Sequence, residues 1–196
     1  MQRRDALLTA LATLALAACS KNDGAPASAS ATGSPAAPPV NAQTAYAQAS
    51  KGSGFAIGQL MAADPVLVFF DPQCPHCAEL WKASQPLLAK IRMVWMPVGF
   101  LRGASEAQGA TILGAPEPAV TMAAHEALLS SRQGGLTVNG TPPPENIAKV
   151  KANTELLNKL GADSVPYILY RNRQNGAYGT HAGALQTEQL AALVGL

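Results

Sequence analysis

The run Val66-Leu67-Val68-Phe69-Phe70-Asp71-Pro72-Gln73-Cys74-Pro75-His76-Cys77 decides the fold of this chain. Its first five residues are continuously apolar, β-branched or aromatic, the pattern of a strand buried on both faces. Asp71 and Pro72 then supply turn chemistry. From Cys74 onward the pattern is helical: Leu80, Ala83, Leu87 and Ile91 fall on one face at spacings of three and four, and Trp81 and Leu88 widen that face. Pro86 lacks a backbone donor and is expected to kink this helix past Trp81 rather than end it. Residues 92–98, with Val94 and Trp95 among them, read as the next strand. Strand, helix and strand make a βαβ unit with a right-handed crossover.

Downstream, residues 101–161 turn helical. The segments 104–113, 119–129 and 145–160 are candidate helices, the last with Ile147, Val150, Thr154 and Leu157 on one face, Pro142-Pro143-Pro144 leading in and Gly161 as the C-terminal cap. Segments 167–170 and 176–181 flank the polar turn 171–175 as a β-hairpin, and 187–194 closes the chain as a helix. Upstream of the first strand only a poorly defined helical lead-in, around 58–63, is expected. The order βαβ, helices, ββα is that of an α/β, thioredoxin-like fold with a helical insertion, about 101–161, between its two halves.

The rest of the chain reads as an address. Arg3 and Arg4 form a positive start, 6–17 is an apolar run too short to span a bilayer, and Leu16-Ala17-Ala18-Cys19 resembles the bacterial lipoprotein box. Residues 1–18 are therefore expected to be a lipoprotein signal peptide, with Cys19 carrying the lipid that anchors the chain to a bacterial membrane in the periplasm. Between Ser20 and Ala45, 20 of 26 residues are Ala, Gly, Pro, Ser or Thr. Such a segment cannot repay its ordering entropy, so 19–45 reads as a disordered tether and 46–196 as the folded domain. All ten aromatic residues lie in that domain, and its 11 Lys+Arg nearly balance its 10 Asp+Glu. Such a balance excludes steering of nucleic acid.

Two cysteines three apart, where a strand ends and a helix begins, place the first sulfur beside unpaired backbone donors and the positive end of the helix dipole. Cys74 is then a stabilised thiolate, while Cys77, one turn in, is shielded and resolves the mixed disulfide formed on Cys74. Pro75 fixes the first turn, and His76 adds a donor or positive charge, both favouring thiolate. A closed zinc site needs four ligands, but the only other cysteine is Cys19, and neither His125 nor His181 has the spacing of a second pair. Ala78 stands where haem attachment needs histidine. The expectation is no metal and no cofactor beyond the redox-active Cys74–Cys77 pair. Asp71 reads as a turn residue, His125 and His181 as structural, and Trp81 and Trp95 as core aromatics, with Trp81 near enough to the motif to line a substrate surface.

The stretch from Phe69 to Cys77, followed by Leu80-Trp81, resembles the active-site region of periplasmic thiol:disulfide interchange proteins of the DsbC/DsbG type. Val98-Gly99, Ala110-Thr111-Ile112-Leu113 and the segment 153–161 look like the helical insert of DsbG in particular, and the resemblance spans about 64–196. It implies that Val165-Pro166 is the cis-proline loop on which substrate backbone docks. It also implies exported protein substrates bearing thiols or disulfides, and a membrane redox partner. DsbC and DsbG carry an N-terminal dimerisation domain where this sequence has its tether, so the expected form is a lipoprotein without that domain. Pro75-His76 is the dipeptide of DsbA oxidases, and Val165 stands where isomerases commonly have threonine. The primary expectation is a thiol-disulfide oxidoreductase working as reductase or isomerase. Its alternatives are a DsbA-like oxidase and, in another class, a thioredoxin-like copper carrier using Cys74, Cys77 and His76.

Overall fold

Strand β2 (Val66–Phe70) runs through the middle of a five-stranded sheet with every side chain buried, as its unbroken apolar sequence demands. The computed structural model describes residues 41–99 and 101–196. The expected signal peptide, Cys19 and most of the tether lie outside the described residues. On one side β2 pairs in parallel with β3 (Arg92–Pro97), Val68 opposite Trp95, and on the other it pairs antiparallel with β4 (Tyr167–Arg171). Strand β5 (Tyr178–Ala182) completes the hairpin with β4, and β1 (Phe55–Gly58) lies antiparallel along the outer edge of β3, giving the order β1-β3-β2-β4-β5.

Helix α2 (Pro75–Ser84) makes the crossover between β2 and β3. Helices α3 (Ser105–Gly114), α4 (Pro118–Ser130) and α5 (Pro144–Lys159) fill the interval between β3 and β4, where an insertion was expected, and α6 (Thr187–Val194) ends the chain. The core closes around Trp95, whose ring meets Phe70 at 5.6 Å and Trp81 at 5.1 Å, both edge to face. Trp81 thus ties the helix that begins at Cys74 to the centre of the sheet. Among the described residues no helix is long and apolar enough to cross a membrane.

Three expectations need correction. Helix α1 (Ala42–Ala49) begins inside the segment read as tether, capped by Asn41, whose side chain accepts from the Thr44 N–H at 2.8 Å. The alanine content that suggested disorder also gives high helix propensity, and Ala45, Tyr46 and Ala49 bury one face. Tyr46 donates its hydroxyl to the Pro65 carbonyl at 2.7 Å, and burial pushes its pKa up to about 12. Secondly, the lead-in near 58–63 is not helical. Phe55 and Ile57 alternate inward as β1, which ends at Gly58 (φ 87°), where a Cβ would strike the Ile91 carbonyl. Thirdly, α2 ends at Ser84 and the backbone tightens into a 3₁₀ turn over Gln85–Leu87. Pro86 cannot donate to the Lys82 carbonyl, while Ser84 Oγ and Gln85 Nε2 both donate to the Trp81 carbonyl, at 2.7 and 3.0 Å.

Helix α5 is fastened beneath the sheet by Asn153, which is 1% exposed. Its amide donates to the Ser53 and Pro97 carbonyls at 2.7 and 2.9 Å and accepts from the Ser53 N–H at 2.9 Å. No water can replace these bonds without entering the core. Asn153→Ala is therefore expected to destabilise the domain by roughly 3 kcal/mol, read as a lower urea midpoint at unchanged m-value.

Candidate active site

Cys74 is the N-cap of α2, and Pro75 occupies the first helical position, so the sulfur stands at the end of the helix where backbone donors are free. Its thiol donates to the Val165 carbonyl at 3.4 Å, and the Val165–Pro166 peptide is cis. The structure thus brings Cys74, Val165 and Pro166 together from positions 91 residues apart. Cys74 is 4% exposed and Cys77 is fully buried.

The two sulfurs titrate in opposite directions. The Cys77 thiol, donating to the Cys74 sulfur, is the largest influence holding the Cys74 pKa down to about 7; burial opposes it, and the backbone N–H groups of Cys77 and His76 and the charge of His76 add to it. Burial, then the hydrogen bond and charge of Cys74, push Cys77 well above the usual thiol range. One sulfur is ready to attack, and the other keeps its proton until it is needed. His76 is largely exposed and turns its Nδ1 to Glu79 Oε2 at 3.0 Å, and that carboxylate raises its pKa. The charge that the Pro75-His76 dipeptide would lend to Cys74 is therefore shared with Glu79.

The loop before Cys74 is held from the insert. Asp71 is buried, its carboxylate accepting from the N–H of Gln73 at 2.8 Å, as a turn residue should, and also from Leu101 N–H at 3.0 Å. The Gln73 amide donates to Gln108 Oε1 and to the Gly134 carbonyl, while Gln108 donates onward to the Gly134 and Leu136 carbonyls. His125 is fully buried. Since the Leu136 N–H donates to its Nδ1 at 3.1 Å, its Nε2 carries the hydrogen and donates to the Pro72 carbonyl at 2.6 Å. Burial lowers its pKa, so the ring is a neutral bolt between the active-site loop and the insert. It is a satisfied core histidine. His181 lies on β5 opposite Ile168.

One residue escaped the sequence reading. Glu126, on α4, is 4% exposed, and neither carboxylate oxygen has a hydrogen-bond partner among the described residues. Burial first, and the Cys74 charge second, push its pKa up to about 8. It lines a groove of about 590 Å³ between α2 and α4, together with Pro75, Ala78, Trp81 and Lys82. The available signal was positional: Met122, His125 and Glu126 stand at i, i+3 and i+4, so the only acid of that helix shares its buried face. Among the described residues no group of three or more His, Cys, Asp or Glu side chains gathers as a metal site requires.

A dithiol at the head of the crossover helix, facing a cis X-Pro peptide across a sheet of this order, defines the thioredoxin-like class. Solved structures agree. The chain matches ScsC of Proteus mirabilis with a TM-score of 0.62 at 18% identity, covering 81% of this chain and 80% of that one. It matches a periplasmic thioredoxin-like protein of Salmonella enterica serovar Typhimurium with a TM-score of 0.58 at 19% identity, covering 77% and 94%.

By sequence the chain is similar to the thiol:disulfide interchange protein DsbG. Identity is 28% over 156 residues with DsbG of Pseudomonas aeruginosa, covering 79% of this chain and 60% of that protein. With DsbG of Escherichia coli it is 32% over 112 residues, covering 56% and 44%. Over this shared stretch the chain is DsbG-like, and it spans less than two thirds of the length of these relatives. No protein-family model matches it.

Proposed function

We propose that this domain is a protein thiol-disulfide oxidoreductase that works in the periplasm on exported proteins, in the reductase or isomerase direction. Cys74 attacks the substrate disulfide, Cys77 resolves the mixed disulfide, and the pair needs no further cofactor. Cys19 holds the chain to a membrane by its lipid, and a membrane redox partner returns the pair to the dithiol. The observation that carries this reading is the seating of the Cys74 sulfur at the head of α2, against the Val165 carbonyl, with Cys77 sealed behind it. The similarity to DsbG supports it independently.

What supports the reductase or isomerase direction is how far the thiolate is stabilised. A Cys74 pKa lowered to about 7 leaves the thiol only part ionised at pH 7, so thiolate stabilisation favours the reduced form modestly. A strong oxidant such as DsbA has a far more acidic cysteine, of pKa about 3.5. The modest activation of Cys74 supports a weaker oxidant than DsbA despite the Pro75-His76 dipeptide. Acid quenching of intact cells, followed by thiol alkylation and mass-shift analysis, is expected to find Cys74 and Cys77 mostly reduced. A mostly oxidised pair would place the protein with the oxidases instead.

A further inference from the structure

The resolving step has a proton to dispose of. When Cys77 attacks the Cys74–substrate disulfide, the Cys74–Cys77 bond forms, the bond from Cys74 to the substrate sulfur breaks, and that sulfur leaves as thiolate with the electron pair. The two enzyme thiols are oxidised and the substrate disulfide is reduced. The proton on Cys77 must go to a base, yet Cys77 is fully buried and has no path of its own to water.

We propose that Glu126 is the base that takes the Cys77 proton in the resolving step and passes it to solvent through the groove between α2 and α4. This deepens the function proposed above and rests on it. The carboxylate is buried and unpartnered among the described residues, so no other bond explains its retention in a site that costs free energy to ionise. Glu126 shares its groove with Ala78, the residue that directly follows Cys77, and charge interactions with both sulfurs accord with that placement. It lines the groove that opens beside Pro75 and Ala78 at the start of α2. Other ionisable groups around it are engaged elsewhere: the buried Asp71 carboxylate accepts from the N–H groups of Gln73 and Leu101. From α2, Glu79 and Lys82 line the groove, with Glu79 engaged by exposed His76; Arg132 lines it just past the end of α4. His125 is turned to Pro72 and Leu136, Glu106 of α3 pairs with Lys151, and β1 has no ionisable side chain.

The arrangement also times the transfer. Burial first, and the charge of the Cys74 thiolate in addition, keep a proton on Glu126 and on Cys77. Capture of substrate converts that thiolate to a neutral disulfide. Glu126 then releases its proton more readily and becomes a competent acceptor as Cys77 is required to give its proton up.

The test uses the full-length chain carrying Cys19→Ala, so that only two thiols react, mixed in its reduced form with 5,5′-dithiobis(2-nitrobenzoate). Release at 412 nm resolves into a first phase, attack by Cys74, and a second, displacement by Cys77. Glu126→Gln is expected to leave the first phase within about twofold and to slow the second roughly tenfold to a hundredfold at pH 7. The variant's second phase should rise more steeply with pH than the wild type's and close on it in the alkaline range, where hydroxide can take the proton, and Glu126→Asp should recover part of the loss. An unchanged second phase with an unchanged pH profile would overturn the proposal, as would equal slowing of both phases. Absence of any first phase in the parent chain would instead overturn the underlying function.

Discussion

Cys74→Ala is expected to abolish disulfide reduction by this domain, with insulin reduction by dithiothreitol falling about a thousandfold or more, to the uncatalysed rate. Cys74 is the sulfur placed at the helix head beside the Val165 carbonyl, and Cys77 has no surface from which to attack in its place. Folding should be unaffected, because the N-cap makes no side-chain hydrogen bond to the helix. The pH dependence follows from the same site. Since the thiol of Cys74 has its pKa lowered to about 7, the attacking fraction and the rate of attack should climb through pH 7 and level off by about pH 8. A rate still climbing in parallel with an ordinary thiol beyond pH 9 would show that the helix head does not activate Cys74.

The second large effect concerns stability. Glu126 in the folded, reduced protein titrates at about 8 against an ordinary value of 4.5. Between those values the folded state holds a proton that the unfolded chain has released, so stability falls as pH rises from about 4.5 to about 8 and then levels. The full loss is roughly 5 kcal/mol at about 1.4 kcal/mol per pH unit. Glu126→Gln removes that titration. Urea unfolding under reducing conditions should show the variant gaining on the wild type by this amount between pH 4.5 and pH 8.5, the difference cancelling every other titrating group. A constant difference across that range would mean that the carboxylate is not held apart from water. The free energy sacrificed at neutral pH is what a group retained for proton transfer would cost.

The elements legible in the sequence were those whose own pattern fixes them. Strand β2 could only be a buried strand, α5 carries a prolyl start and a glycine stop, and the hairpin of β4 and β5 is marked by its polar turn. Strand β1 was missed because four residues, Phe-Ala-Ile-Gly, give period two no room to declare itself. Its identity is conferred by pairing with β3, a long-range contact. The start of α1 was hidden because alanine suits both a helix and a structureless tether, and what decides is the burial of Tyr46 under Pro65. At the site, the dithiol was legible because its spacing carries the chemistry. The opposite fates of its two sulfurs also followed from their places on one helical turn. The roles of Glu79 and Glu126 were not legible, since one is defined by its pairing with the exposed His76 ring and the other comes from a helix some fifty residues downstream.

Mixed-disulfide trapping in intact cells tests the role of Cys74 most directly. The full-length Cys77→Ala chain would be acid-quenched, separated without reduction and analysed by mass spectrometry. It should accumulate exported proteins joined through Cys74, released by reductant and absent when Cys74→Ala is added. A Cys77→Ala chain that is expressed and folded yet carries no disulfide-linked partner would contradict the claim that Cys74 engages protein disulfides.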